Sequence, residues 1–195
     1  MKIDRLVQIK PNHLKPAKGR LLLSEPFMGD YYFGRSVILL AEHNDEGSFG
    51  LVLNKPTNKK ISEVTEEFPE LDAPLYIGGP VEPNRMFFIH TLGDEINDSI
   101  EVSKGLFWGG SMDDVIELSQ LKRLNSENSR FFIGYAGWGA HQMDEELKRN
   151  SWAVVTATSD VIFKTDPRIL WKKLTRKLGS DYRLWAKFPV NPNLN

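Results

Sequence analysis

Short apolar runs rich in branched side chains, none longer than about six residues, constrain this chain more than any other feature of its sequence. Bounded by turn residues, runs of that length make strands, and they fall far short of the roughly 20 apolar residues that a membrane-spanning helix needs. Residues 20–24 (RLLLS) and 36–42 (SVILLAE) are of this kind, with an aromatic-rich loop over 25–34 between them. The polar turn at 43–47 then leads into residues 50–54 (GLVLN), which predicts a hairpin. Further strands are predicted at 75–77, 86–91, 99–102, 105–108, 129–133 and 152–158.

Helices are fewer. Ile61, Val64 and Phe68 share a face, with Ser62 available as N-cap, which predicts a short helix stopping at Pro69. Ser111 with Asp114 has the pattern of a capping box, opening a helix with Val115, Leu118 and Leu121 along its apolar stripe. A further amphipathic helix is predicted from about 141 to 149. Asp166-Pro167 opens the clearest helix, with Gly179 just past its end and Leu170, Trp171, Leu174 and Leu178 on one face. Residues 182–188 add a last turn.

Strands at hairpin spacing, without strict alternation of strand and helix, indicate an α+β fold with a largely antiparallel, barrel-like sheet. With no internal repeat and no low-complexity linker, the expectation is a single domain over residues 1–195, comprising an N-terminal arm (1–18), the body, and a basic C-terminal helical segment (160–195). The 41% hydrophobic content suffices for a sizeable core. There is no cysteine, which excludes disulfides, thiolate metal sites and cysteine nucleophiles and fits a reducing cytosol. With neither a signal-peptide pattern nor a membrane span, the expected location is the cytoplasm.

Charge is segregated. Residues 1–20 carry +5, residues 21–159 carry −11 and residues 160–195 carry +5. The simplest use is internal, with both basic ends packed on the acidic body; the alternative is an external polyanion.

The segment Gly134-Tyr135-Ala136-Gly137-Trp138-Gly139 lies between a strand and a helix and reads as a sharp chain reversal. Such a corner can hold an anion. It lacks the lysine and Ser/Thr of a phosphate-binding loop, however, and Asp144, Glu145 and Glu146 in the next helix would repel phosphate. The four histidines, His13, His43, His90 and His141, show no metal-ligand spacing, and Glu42 and His43 point to opposite faces of a strand. His90 reads as a hydrogen-bonded core or rim residue. No nucleophile elbow is present, and no cofactor or metal is expected. Arg168, Lys172, Lys173, Arg176 and Lys177, near Trp171, Tyr182 and Trp185, are the best nucleic-acid candidates, set against the plainer reading of a solvated helix face.

Several of these stretches together resemble the YqgE/AlgH family of bacterial proteins, which includes structural-genomics members of unknown function. The residues that carry the resemblance are Gly19-Arg20-Leu21-Leu22-Leu23-Ser24-Glu25-Pro26, Phe33 to Leu40, Glu42-His43, Gly50-Leu51-Val52-Leu53-Asn54-Lys55-Pro56, Gly78-Gly79-Pro80-Val81, and Gly134-Tyr135-Ala136-Gly137-Trp138 with Gln142 and Glu146. His141 departs from the pattern, which has glycine before the glutamine. The resemblance implies a central β-barrel flanked by helices and a cytosolic location. One branch is named as a regulator of alginate production, the source of a transcriptional-regulator label that no DNA-reading motif here supports. The expected role is non-catalytic binding of an unidentified protein or small molecule, through a surface that includes Arg35, His43, Asn54, Tyr135, Trp138 and Gln142. The rival readings are a transcriptional regulator that binds nucleic acid through the basic ends, and an enzyme whose site assembles through space.

Overall fold

In the computed structural model, which describes residues 14–69, 71–156 and 158–188, the first apolar runs form β1 (Leu21–Ser24), β2 (Val37–Asn44) and β3 (Gly47–Val52). Then come β4 (Pro56–Lys60), β5 (Pro74–Ile77), β6 (Val81–His90), β7 (Ile100–Ser103) and β8 (Leu106–Trp108). Helix α1 (Met112–Gln120) leads to β9 (Ser129–Gly139), α2 (Gln142–Lys148) and β10 (Trp152–Val155). Three helices follow: α3 (Ser159–Lys164), α4 (Pro167–Lys177) and α5 (Ser180–Arg183). The expected N-terminal arm lies mostly, and the tail from Pro189 wholly, outside the described residues.

The α+β expectation holds. One ten-stranded sheet runs β10-β1-β2-β3-β9-β6-β8-β7, with β4 and β5 branching from β9, and every pairing but the parallel β5–β9 ladder is antiparallel. The sheet curls enough for β2 to approach β7 and for Gly19, before β1, to lie against the Val102 carbonyl. Its end strands β10 and β7 do not pair with each other, so the barrel stays open.

Strand β9 is the hub, and here the structure corrects the expected reversal at residues 134–139. The chain runs straight through as an eleven-residue strand. One edge of β9 pairs with β5 at Phe131–Ile133 and then with β3 from Ala136 to Gly139, while β6 holds the other edge. Gly134, at φ +68°, sits where the partner changes. The reversal comes later, at His141, which has φ +63°.

The helix expected at 61–69 is a single 3-10 turn, Ile61–Glu63, without a side-chain cap from Ser62. Ile61 and Phe68 are buried, but Val64 between them is exposed. Ser111 caps α1 as expected, accepting from the Asp114 N–H, but the capping box is only half made. The Asp114 carboxylate instead accepts from the backbone and side-chain nitrogens of Asn97 at 2.8 and 2.9 Å, tying the helix to the preceding loop. Leu121, expected on the apolar stripe, is exposed.

The main core lies between the sheet and the C-terminal helices, where Leu170, Trp171, Leu174, Tyr182 and Trp185 meet Leu21, Leu39, Leu51 and Phe132. The Trp171 indole N–H donates to the Ser24 carbonyl at 2.9 Å, pinning α4 to β1. Arg130 crosses this core at 4% exposure. Its guanidinium donates to the carbonyls of Leu53 and Ile162 and lies 4.7 Å from the Tyr76 ring, while burial pushes its pKa down. A second core packs α1 against Phe88 and Phe131, and a third packs α2 against Trp138, Trp152 and Leu22.

Candidate functional site

Alternation along β9 builds a concavity. Ala136 and Trp138 are buried, whereas Tyr135, Gly137 and Gly139 fall on the opposite face. Because two of those three are glycines, the face is bare of side chains past Tyr135. A cleft of about 460 Å³ opens there, lined by β9 together with Glu42, Asn44, Glu46 and Phe49 of the β2–β3 hairpin and Val81 of β6. Phe49 is the aromatic centre of this region, with ring centroids 4.7 Å from Tyr135, 4.8 Å from Trp108 and 5.6 Å from Phe87. Among the described residues, two carboxylates line the cleft and no cationic side chain does. Such a surface suits a positively charged group with a flat or apolar body.

The six residues singled out from sequence divide between two regions. Tyr135, Trp138, Gln142 and His43 gather around β3, β9 and α2; Arg35 and Asn54 lie elsewhere and serve the fold. Asn54 accepts from the Val37 N–H at 2.8 Å and donates to the Arg35 carbonyl at 2.9 Å, closing the turn before β2. Arg35, at φ +51°, donates to the Phe188 carbonyl at 2.7 Å and sits 5.0 Å from the Trp171 ring, and burial lowers its pKa. Arg35 thereby holds the C-terminal segment against the sheet, and Asn54 fixes the Arg35 backbone.

Trp138, expected at an exposed edge, is buried. Its indole N–H donates to Glu146 at 2.9 Å, and the same carboxylate oxygen accepts from the Trp152 indole at 2.6 Å. Gln142 donates to the other oxygen of Glu146 at 2.9 Å and accepts from the Gly139 N–H at 3.1 Å. This relay fixes the end of β9 on α2. Beside it a smaller cleft of about 290 Å³ is lined by Met28, Phe33, Trp138, Trp152, Gln142 and Glu146. The rings of Phe33, Trp138 and Trp152 have centroids only 5.8 to 6.4 Å apart. They pack on one another and leave no gap for a cation between them.

His43 Nδ1 lies 2.7 Å from Ser48 Oγ, in a recess of about 70 Å³ with His141 and Asp144. Histidine and serine are direct cross-strand partners of the hairpin. No hydrogen bond joins His43 to a carboxylate among the described residues, so the third group that orients a catalytic histidine is missing from the set. His90 is buried as expected. Its Nδ1 accepts from the Leu92 N–H, which leaves Nε2–H to donate to the Gly109 carbonyl at 3.2 Å. Among the described residues no group of three histidine, aspartate or glutamate side chains could hold a metal ion, and no helix is long and apolar enough to cross a membrane.

Glu42, Glu46 and Phe49 escaped the sequence reading as a group. The available signal was the alternation that places Glu42 opposite His43, read together with the glycines of β9.

Residues 21–183 match the family model described as DUF179, AlgH-like. A UPF0301 protein of Parabacteroides distasonis is 43% identical over 198 residues, covering 97% of each chain. A UPF0301 protein of Bacteroides thetaiotaomicron is 39% identical over 197 residues, covering 100% of both. Among solved structures, a crystal structure of a protein from Corynebacterium diphtheriae matches with a TM-score of 0.76 at 25% identity, covering 96% of this chain and 100% of that one. The solution structure of the AlgH protein from Pseudomonas aeruginosa matches at 0.69 and 28% identity, covering 93% and 98%.

Proposed function

The chain belongs to the AlgH-like family, and from that premise and the geometry of the β3–β9 cleft we propose that it is a cytoplasmic, non-catalytic binding protein that holds a cationic partner between Glu42, Glu46 and Tyr135. The observation that carries this reading is the composition of the cleft: two carboxylates, an aromatic cluster and a glycine-bared strand face, with no cationic side chain among its described lining residues. An amine or guanidinium borne on a small molecule, or on a lysine or arginine of a partner protein, meets the carboxylates while its body lies on Tyr135.

Thermal shift of the full chain with agmatine, spermidine and an arginine-rich peptide tests it. At least one of these cations raises the melting temperature with saturation, and the Glu42→Gln/Glu46→Gln variant loses the response. Equal responses in the parent and the double variant would refute the assignment. Chemical conversion of a bound amine would sink the non-catalytic part of it.

A further inference from the structure

The C-terminal segment packs on the body through its apolar face and turns its charge outward, so the packing expected of this basic end is made without ion pairs to the acidic body among the described residues. Its ion pairs are internal, Lys164 with Asp160 and Arg168 with Asp166. Lys172, Arg176, Lys177, Arg183 and Lys187 are exposed and have no ion pair among the described residues. Three of them converge: Arg176 of α4, Arg183 of α5 and Lys187 of the following 3-10 turn line a cleft of about 340 Å³ with Ala186, and among the described residues no acidic side chain lines it.

The support beneath is fixed. Tyr182 and Trp185 are buried with rings edge to face at 5.1 Å, and the Lys187 N–H donates to the Leu184 carbonyl at 3.0 Å. Three like charges held around one concavity repel one another, and the arrangement is relieved by an anion that touches all three. Guanidinium forks match phosphate oxygens two at a time, and an ammonium adds a third point of charge. The volume falls in the range of small-molecule sites.

We propose that Arg176, Arg183 and Lys187 form a binding site, separate from the acidic cleft, for a compact diphosphate-bearing anion. Adjacent phosphates bring close to three negative charges into the span of three cations. A single sulfate leaves one cation unmatched, and an extended strand spreads its charges past the cleft.

Isothermal titration of the full chain with inorganic pyrophosphate and with ADP tests the site, at about 50 and about 200 mM salt. Both bind with Kd below about 1 mM at the lower salt, and Arg183→Gln or Lys187→Gln weakens each about tenfold. Glu42→Gln/Glu46→Gln leaves this binding unchanged, so its loss is distinguishable from failure of the cationic-partner reading. Circular dichroism confirms that each variant keeps its fold. Three results overturn the proposal: no saturable binding, unchanged affinity in both single variants, or sulfate binding as tightly as pyrophosphate. Fluorescence polarisation with a random oligonucleotide addresses the other source of phosphates. Tighter binding than ADP, with a salt slope well above three, makes these residues part of a nucleic-acid track and overturns the compact site.

Discussion

Glu146 is the acceptor on which three elements converge, and replacing it tests how the end of β9 is held. One of its oxygens takes the indole N–H groups of Trp138 and Trp152, and the other takes Gln142, whose own oxygen is committed to the Gly139 N–H. Glu146→Ala removes the acceptor for three donors. Each hydrogen bond to a charged group contributes roughly 1.5–3 kcal/mol, and the side chain is only partly buried, so water replaces some of them; the net loss is about 2–4 kcal/mol. Glu146→Gln is the sharper probe. The amide oxygen can still accept from both indoles, but its nitrogen then faces the Gln142 nitrogen, donor against donor. Flipping Gln142 moves the conflict to the Gly139 N–H, so no arrangement satisfies every group, and the cost is about 1–2 kcal/mol. For a chain of this length each kcal/mol lowers the melting temperature by about 2–4 °C. Urea unfolding followed by tryptophan emission reads both variants, with a red shift in the folded baseline as Trp138 and Trp152 lose their acceptor. A Glu146→Ala variant within about 0.5 kcal/mol of the parent, with unshifted emission, would refute the reasoning.

Gly134→Ala puts a methyl group 2.4 Å from the Gly79 carbonyl oxygen on a backbone at φ +68°, and the variant should lose at least about 3 kcal/mol or fail to fold, as read by denaturant unfolding. Burial lowers the His90 pKa. The unfolded chain therefore takes up a proton that the fold refuses, and the His90 contribution is present above about pH 6.5 and lost as pH falls below it; unfolding curves from pH 8 to 5 show this slope, and His90→Gln removes it. Arg130→Met keeps an unbranched apolar stem but strips the Leu53 and Ile162 carbonyls of their donor. It should destabilise by about 1–3 kcal/mol in urea titration; a stabilised variant would mean that desolvating the guanidinium outweighs its hydrogen bonds.

The sequence was most legible where short-range chemistry decides the outcome. The β2–β3 hairpin follows from apolar runs flanking a polar turn, and α4 follows from Asp166, Pro167 and one apolar face. Strand β4 was missed because none of its five residues, Pro56 to Lys60, is buried, so no apolar alternation marks it. Helix α3 falls within the segment read as helical but was not delimited, because Val161-Ile162-Phe163 is a run of consecutive apolar residues that shows no helical period. The run at 134–139 was misread for a different reason. Glycine within apolar sequence signals either a turn or a close backbone approach, and local sequence does not separate the two. The structure does: a Cβ on Gly78 would meet the Gly134 carbonyl at 2.1 Å, and one on Gly134 would meet the Gly79 carbonyl at 2.4 Å. The Gly78-Gly79 pair and the Gly134 run are two sides of one backbone crossing. That accounts for their joint value as a family mark and for their silence about chemistry. The candidate site suffered similarly, since Asn54 and Arg35 were singled out for polarity that the fold itself consumes.

The other glycines of β9 are free of that constraint, and this separates the cleft from the fold in a testable way. A Cβ on Gly139 would have nothing within 4 Å, and its φ lies outside the left-handed region. It shares the face of Tyr135 and Gly137 and lines the cleft directly. Gly139→Leu therefore projects a side chain into the space reserved for a ligand without disturbing Trp138 or the backbone crossing at Gly134. Stability should stay within about 0.5 kcal/mol of the parent, because leucine is placed on a sterically open strand position. Saturable binding of a cation at Glu42 and Glu46 should disappear. The contrast with Gly134→Ala is the decisive feature: one glycine exists for the fold, the other leaves room. If Gly139→Leu binds agmatine, spermidine or the arginine-rich peptide as the parent does, the cleft is not where they bind, and the glycines beyond Tyr135 serve only the geometry of the strand.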